Sequence, residues 1–177
     1  DLMFRAADRP SPHDVIVRAE KLVTRYDDID APRQQFSFAD DASASSAAVD
    51  GDAISEASIR FSPATRPSWD WDPDKGVWLR SQLGKADKDS NGDRLTAVNV
   101  VVLRVPISHG LGVPKTELIG DGRAWVMSEG KVIEAHWRKS SRSGLIRLTV
   151  DSGAAIRRAP GNTWIELMPT SGSFSAS

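Results

Sequence analysis

Apolar positions recur at helical spacing near the start of the chain and at alternate positions through most of its second half, so two kinds of element are expected. Residues 11–27 read as one amphipathic helix. Ser11 can cap it, Pro12 suits the first helical position, and Asp14 completes an S-x-x-D start. Val15, Ala19, Leu22, Val23 and Tyr26 then form one stripe, with Arg18, Glu20, Lys21 and Arg25 pointing away from it. A short extended segment follows at Gln35 to Phe38.

From Ile59 onward the pattern changes to short β-prone runs separated by turn residues. Trp69-Asp70-Trp71-Asp72 puts two indoles on one face and two carboxylates on the other. Ala97 to Leu103 is almost wholly apolar and β-branched, which predicts a central strand covered on both faces. Arg123 to Arg138 predicts a hairpin turning at Glu129-Gly130, with Ala124, Val126, Ile133, Ala135 and Trp137 on one face. Arg123, Trp125, Met127, Val132, Glu134 and His136 share the other. Strands at Leu145 to Val150 and Asn162 to Met168 complete an α+β fold, mainly antiparallel sheet with one N-terminal amphipathic helix.

Composition adds a domain plan. Residues 39–58 hold five acids, no base and many Ala and Ser, which reads as an acidic linker or mobile loop. The expected order is a remnant of an upstream domain at 1–38, that linker, a sheet-rich domain at 59–169 and a polar tail at 170–177. With 23 basic and 24 acidic residues the net charge is −1, so no global field draws the 177-residue chain to nucleic acid, and none is expected as a partner. No apolar run approaches the ~18 residues that cross a bilayer. There is no cysteine, hence no disulfide, thiol nucleophile or zinc-thiolate site.

The chemistry-bearing motifs are few. Asp87, Asp89, Asn91 and Gly92 match four positions of a calcium loop, with Asp93 as a further oxygen donor, but Val98 stands where a bidentate Glu belongs. An Asx-rich hairpin loop explains the same residues. His13, His109 and His136 have no ligand partner at metal spacing, and no P-loop, G-x-S-x-G or H-E-x-x-H occurs, so neither a cofactor nor a catalytic set is expected. Of the six tryptophans, most belong in the core, with Trp125 and one of Trp69 and Trp71 as exceptions. Trp125, Glu134 and His136 on the mixed hairpin face, with Arg138, Lys139 and Arg142 in the basic loop beyond, form the candidate binding set. Arg147, Arg157 and Arg158 add to that basic region.

Trp71-Asp72, Val77-Trp78-Leu79-Arg80, Thr96 to Val102, Gly120 to Ala124, Glu129 to Glu134, Trp137-Arg138-Lys139 and Pro160 to Ile165 occur in an order that resembles the C-terminal domain of the YerB-like family of bacterial envelope lipoproteins. Arg5 through Pro12-His13-Asp14 is similar to the end of that family's N-terminal domain. A family histidine is missing where Gly84 to Asp89 stands. The resemblance implies a protein outside the cytoplasmic membrane, held there by a lipid anchor on a missing N-terminal part, with no established reaction. The expected function is a non-enzymatic binding or accessory module whose partner is an envelope protein or an anionic cell-surface polymer. The alternative is a hydrolase of envelope glycan or peptide using carboxylates near Trp69 to Asp72 or near His136.

Overall fold

The computed structural model describes residues 1–31 and 33–177, and the chain forms two compact units, Asp1–Gln34 and Gln35–Ser177. In the first unit, β1 (Met3–Arg5) pairs antiparallel with β2 (Val15–Val17), and α1 (Ala19–Arg25) follows. The helix expected over 11–27 is therefore only seven residues long. Val15, Ile16 and Val17 are consecutive β-branched residues, which favour a strand, and Asp14 binds Arg5 at 2.7 and 2.9 Å instead of capping. No residue of α1 is buried, and Leu22, Val23 and Tyr26 stay exposed.

Residues 39–58 are not a linker. After β3 (Ser37–Phe38), the Asp41 side chain accepts from the Ala44 N–H at the head of a 3-10 turn, and Ser45 accepts from Ala48 to cap α2 (Ser46–Asp50). Strands β4 (Asp52–Ala53) and β5 (Glu56–Arg60) complete the segment. The small residues that look too poor for a core permit close approach: a Cβ at Gly51 would lie 2.4 Å from the Ala47 carbonyl oxygen and 2.8 Å from that of Val132. Ala47 is buried there, and Ala57 on β5 is fully buried in the core beside Trp69.

The remaining strands are β6 (Pro67–Asp72), β7 (Val77–Gln82), β8 (Lys85–Ala86), β9 (Thr96–Ala97), β10 (Asn99–Val105), β11 (Ile107–Ser108), β12 (Lys115–Thr116), β13 (Gly120–Ser128), β14 (Lys131–Lys139), β15 (Arg147–Thr149), β16 (Arg157–Arg158), β17 (Thr163–Pro169) and β18 (Ser173–Ala176). One sheet runs β18-β5-β6-β7-β8 with β9 also on β7; the other runs β15-β14-β13-β10-β17 with β4 also on β14. Among the described residues no helix is long and apolar enough to cross a membrane.

The predicted central strand is divided at Val98. Ala97 pairs with Trp78 in the first sheet, while Asn99–Val105 lies between antiparallel β13 and parallel β17 in the second. The Asn162 side chain accepts from the Val98 N–H at 2.9 Å and holds the crossing. Alternation in β10 then serves two cores. Val100 and Val102 pack with Trp69, Trp78, Met127 and Met168 between the sheets, whereas Val101, Leu103 and Val105 pack with Trp137, Ala135 and Leu148 on the far side. The parallel β10–β17 pair departs from the mainly antiparallel pattern.

The hairpin of β13 and β14 turns at Glu129 and Gly130, both with positive φ (54° and 65°). Its expected facing holds, with Ala124, Val126, Ala135 and Trp137 in the second core. The terminal segment is not a free polar tail: β18 pairs with β5, and Phe174 packs against the first core.

Candidate functional site

Alternation on β13 and β14 sets Trp125 opposite Glu134 and Arg123 opposite His136, and β15 adds Thr149 beside His136. Arg123 reaches diagonally to Glu134 at 2.6 Å, and His136 Nε2 lies 2.7 Å from Asp151 Oδ1. The side chains of Arg123, Glu134 and His136 are each about half exposed, so the Arg123–Glu134 ion pair and the His136–Asp151 hydrogen bond lie on the same hairpin face. Arg123 and Asp151 were absent from the candidate set and belong to it. Trp125 is less free than expected. Its ring stacks on Phe174 at 4.9 Å, with the Arg123 guanidinium 5.2 Å away.

The basic loop does not act as one patch. Lys139 donates to the carbonyls of Arg142 and Gly144, closing its own loop, and Arg142 stands exposed at the tip. Arg138 lies opposite Arg147 beside a cleft of about 280 Å³ lined also by Ser140 and Leu145. Arg158 is no part of the surface. It is fully buried, with its guanidinium 3.9 Å from the Phe36 ring and 4.5 Å from Phe38, and it donates to Thr163 Oγ1 at 3.1 Å. Burial pulls its pKa down to about 10, and its Nε and Nη2 find no hydrogen-bond partner among the described residues.

The Asp87 loop is built on Asx bonds. Asp89 accepts from the N–H groups of Asn91 and Asp93 at 2.8 and 3.0 Å, and its own N–H donates to the Asp93 carbonyl. Asp87 turns away to pair with Arg80, which separates the first oxygen of the calcium pattern from the others. Among the described residues no group of three or more His, Asp or Glu stands where it could hold a metal ion.

Arg80 links that loop to the core. Its Nε is 3.3 Å from Glu166 Oε1, which also accepts from Trp69 Nε1 at 3.2 Å, and its guanidinium lies 4.9 Å from the Trp164 ring. Burial pushes the Glu166 carboxyl up, against the pull of Arg80 and the two indole N–H donors. Sequence reasoning passed over this cluster, although a signal existed: in β17, Trp164, Glu166 and Met168 share a face with core residues, and a lone acid there requires a partner. Asp72 is occupied otherwise. The Lys75 ammonium at 3.1 Å and backbone N–H hold its carboxyl below the usual range, which suits a turn anchor rather than a proton donor.

Residues 57–165 match the family described as "Protein of unknown function (DUF3048) C-terminal domain". The chain belongs to this YerB-like family. Its fold is similar to that of the YerB protein from Bacillus subtilis in a crystal structure, with a TM-score of 0.72 and 19% identity over 99% of this chain. The chain spans 60% of the length of that YerB chain. No curated protein matches. The matched DUF3048 region takes in the hairpin face, Arg80, Asp87 and Arg158, and it stops one residue before Glu166.

Proposed function

We propose that this DUF3048 domain is a non-enzymatic binding or accessory module of the bacterial cell envelope that docks a protein partner on the β13–β14 hairpin face. The observation behind the reading is the paired, exposed Arg123–Glu134 and His136–Asp151 array beside the half-buried Trp125. Charged and hydrogen-bonding side chains around an aromatic suit a partner surface of complementary polarity, and they set register and orientation more than raw affinity. An extracytoplasmic, lipid-anchored setting is what the YerB-like resemblance implies, and it supplies the envelope part of the proposal.

A photo-crosslinking residue at Thr149, beside His136, tests the docking face in cells making the full-length protein. A discrete adduct is expected, reduced by Arg123→Glu and absent from a probe at Val23. Equal adducts from both probes would overturn the face. Purified chain incubated with peptidoglycan is expected to release no soluble fragments; release above the buffer control would favour the hydrolase alternative.

A further inference from the structure

The sheet containing β5, β6, β7 and β18 has a second face, turned away from the tryptophan core, and a cleft of about 460 Å³ lies on it. Register places Ser175 opposite Ser58, Ser58 opposite Ser68 and Ser68 opposite Ser81, one hydroxyl from each of four strands. The Ser81 hydroxyl is taken by Arg94 at 2.8 Å; those of Ser58, Ser68 and Ser175 line the cleft.

The adjoining row is cationic. Ser173 stands opposite Arg60, and Arg60 and Arg66 both line the cleft. Neither guanidinium has an acid within ion-pair distance among the described residues. Exposed Leu83 bounds this end, while Glu56, accepting from Ser58 at 3.3 Å, bounds the other.

We propose that the cleft binds an anionic, hydroxyl-rich chain, a polyol or glycan bearing phosphate or carboxylate groups, with the anion between Arg60 and Arg66. An anion held by both guanidinium groups accepts their forked N–H donors. The Ser68 and Ser175 hydroxyls can each donate and accept, and Ser58, donating to Glu56, can still accept, so the row matches a polyol laid along the sheet. Glu56 repels a second anion at the far end, which gives the bound chain a direction. This site is separate from the hairpin face and stands or falls without it.

Calorimetric titration of the whole chain with glycerol phosphate oligomers, oligogalacturonate and neutral dextran tests the proposal. Binding of at least one anionic oligomer is expected, weakening as salt rises, with no heat from dextran. Whichever anionic oligomer binds identifies phosphate or carboxylate as the recognised group. The Arg60→Gln/Arg66→Gln double variant is expected to weaken binding at least tenfold, whereas Lys21→Gln/Arg25→Gln, with the same charge loss on α1, leaves it unchanged. Ser58→Asp and Ser175→Asp are expected to weaken it too, and they decide the matter if the arginine double variant does not fold. Failure of both anionic oligomers to bind, equal binding of dextran, or equal loss in the two double variants would overturn the assignment.

Discussion

Trp69 and Glu166, 97 positions apart in the chain, meet inside the molecule where the indole N–H donates to the carboxylate at 3.2 Å. The contact ties β6 of one sheet to β17 of the other, and Arg80 completes it from β7. A buried ion pair of this kind gives little net stability when intact and costs much when one member is removed.

Glu166→Ala is therefore expected to destabilise the fold by about 3–5 kcal/mol, because Arg80 and the Trp69 N–H lose a buried acceptor. Urea unfolding measures it. A loss under ~1 kcal/mol would show that the cluster hydrates freely.

The raised Glu166 pKa sets a pH dependence. A carboxyl with a folded pKa above its unfolded value of about 4.3 contributes stability that is complete below that value and lost as pH rises through the folded one. Glu166→Gln removes this titration. Its unfolding midpoint is expected to fall less than that of the parent chain as pH rises from about 4, the ordinary carboxylate range. Parallel curves for the two proteins would contradict the assignment.

Asn99 is fully buried and joins three segments. Its amide donates to the Ala159 carbonyl at 2.9 Å, and its oxygen accepts from Ser128 Oγ at 2.6 Å and the Ala159 N–H at 3.0 Å. Asn99→Ala leaves these groups unsatisfied at about 1–3 kcal/mol each, so a loss of at least ~2 kcal/mol is expected in chemical unfolding. Rapid amide exchange at Ala159 in the variant would locate the damage.

Gly130 and Gly76 both have positive φ, 65° and 62°, but a Cβ at Gly130 would lie 2.8 Å from Trp71 Nε1, while Gly76 has open space. Gly76→Ala should cost only the left-handed penalty of roughly 1–2 kcal/mol. Gly130→Ala adds displacement of the Trp71 ring and is expected to cost about 1 kcal/mol or more beyond that. Equal melting temperatures would mean that Trp71 moves aside freely.

Calcium provides a check on the Asp87 loop. Because Asp87 pairs with Arg80 and Asp89 serves its own loop, millimolar Ca²⁺ is expected to leave the melting temperature unchanged. A ligand at 100 times its Kd would add ~2.7 kcal/mol to stability, an easily seen shift. Such a shift, lost in Asp89→Ala, would establish a metal site.

Local signals determined much of this protein. The Glu129-Gly130 turn, the alternation of β13 and β14, the apolar run of β10 and the mostly buried tryptophans all follow from short-range pattern, since backbone period and turn chemistry act within a few residues. The same local rules erred at Val15 to Val17, where β-branching outweighed helical spacing, and in residues 39–58, where small side chains pack closely instead of drifting. Only the tertiary structure decided the break at Val98, the parallel pairing of β10 with β17, the burial of Arg158, the meeting of Glu166 with Arg80 and the sharing of one cleft by Arg60 and Arg66. Buried charges and sheet partners depend on which distant segment arrives beside them, and spacing along a chain holds no record of that.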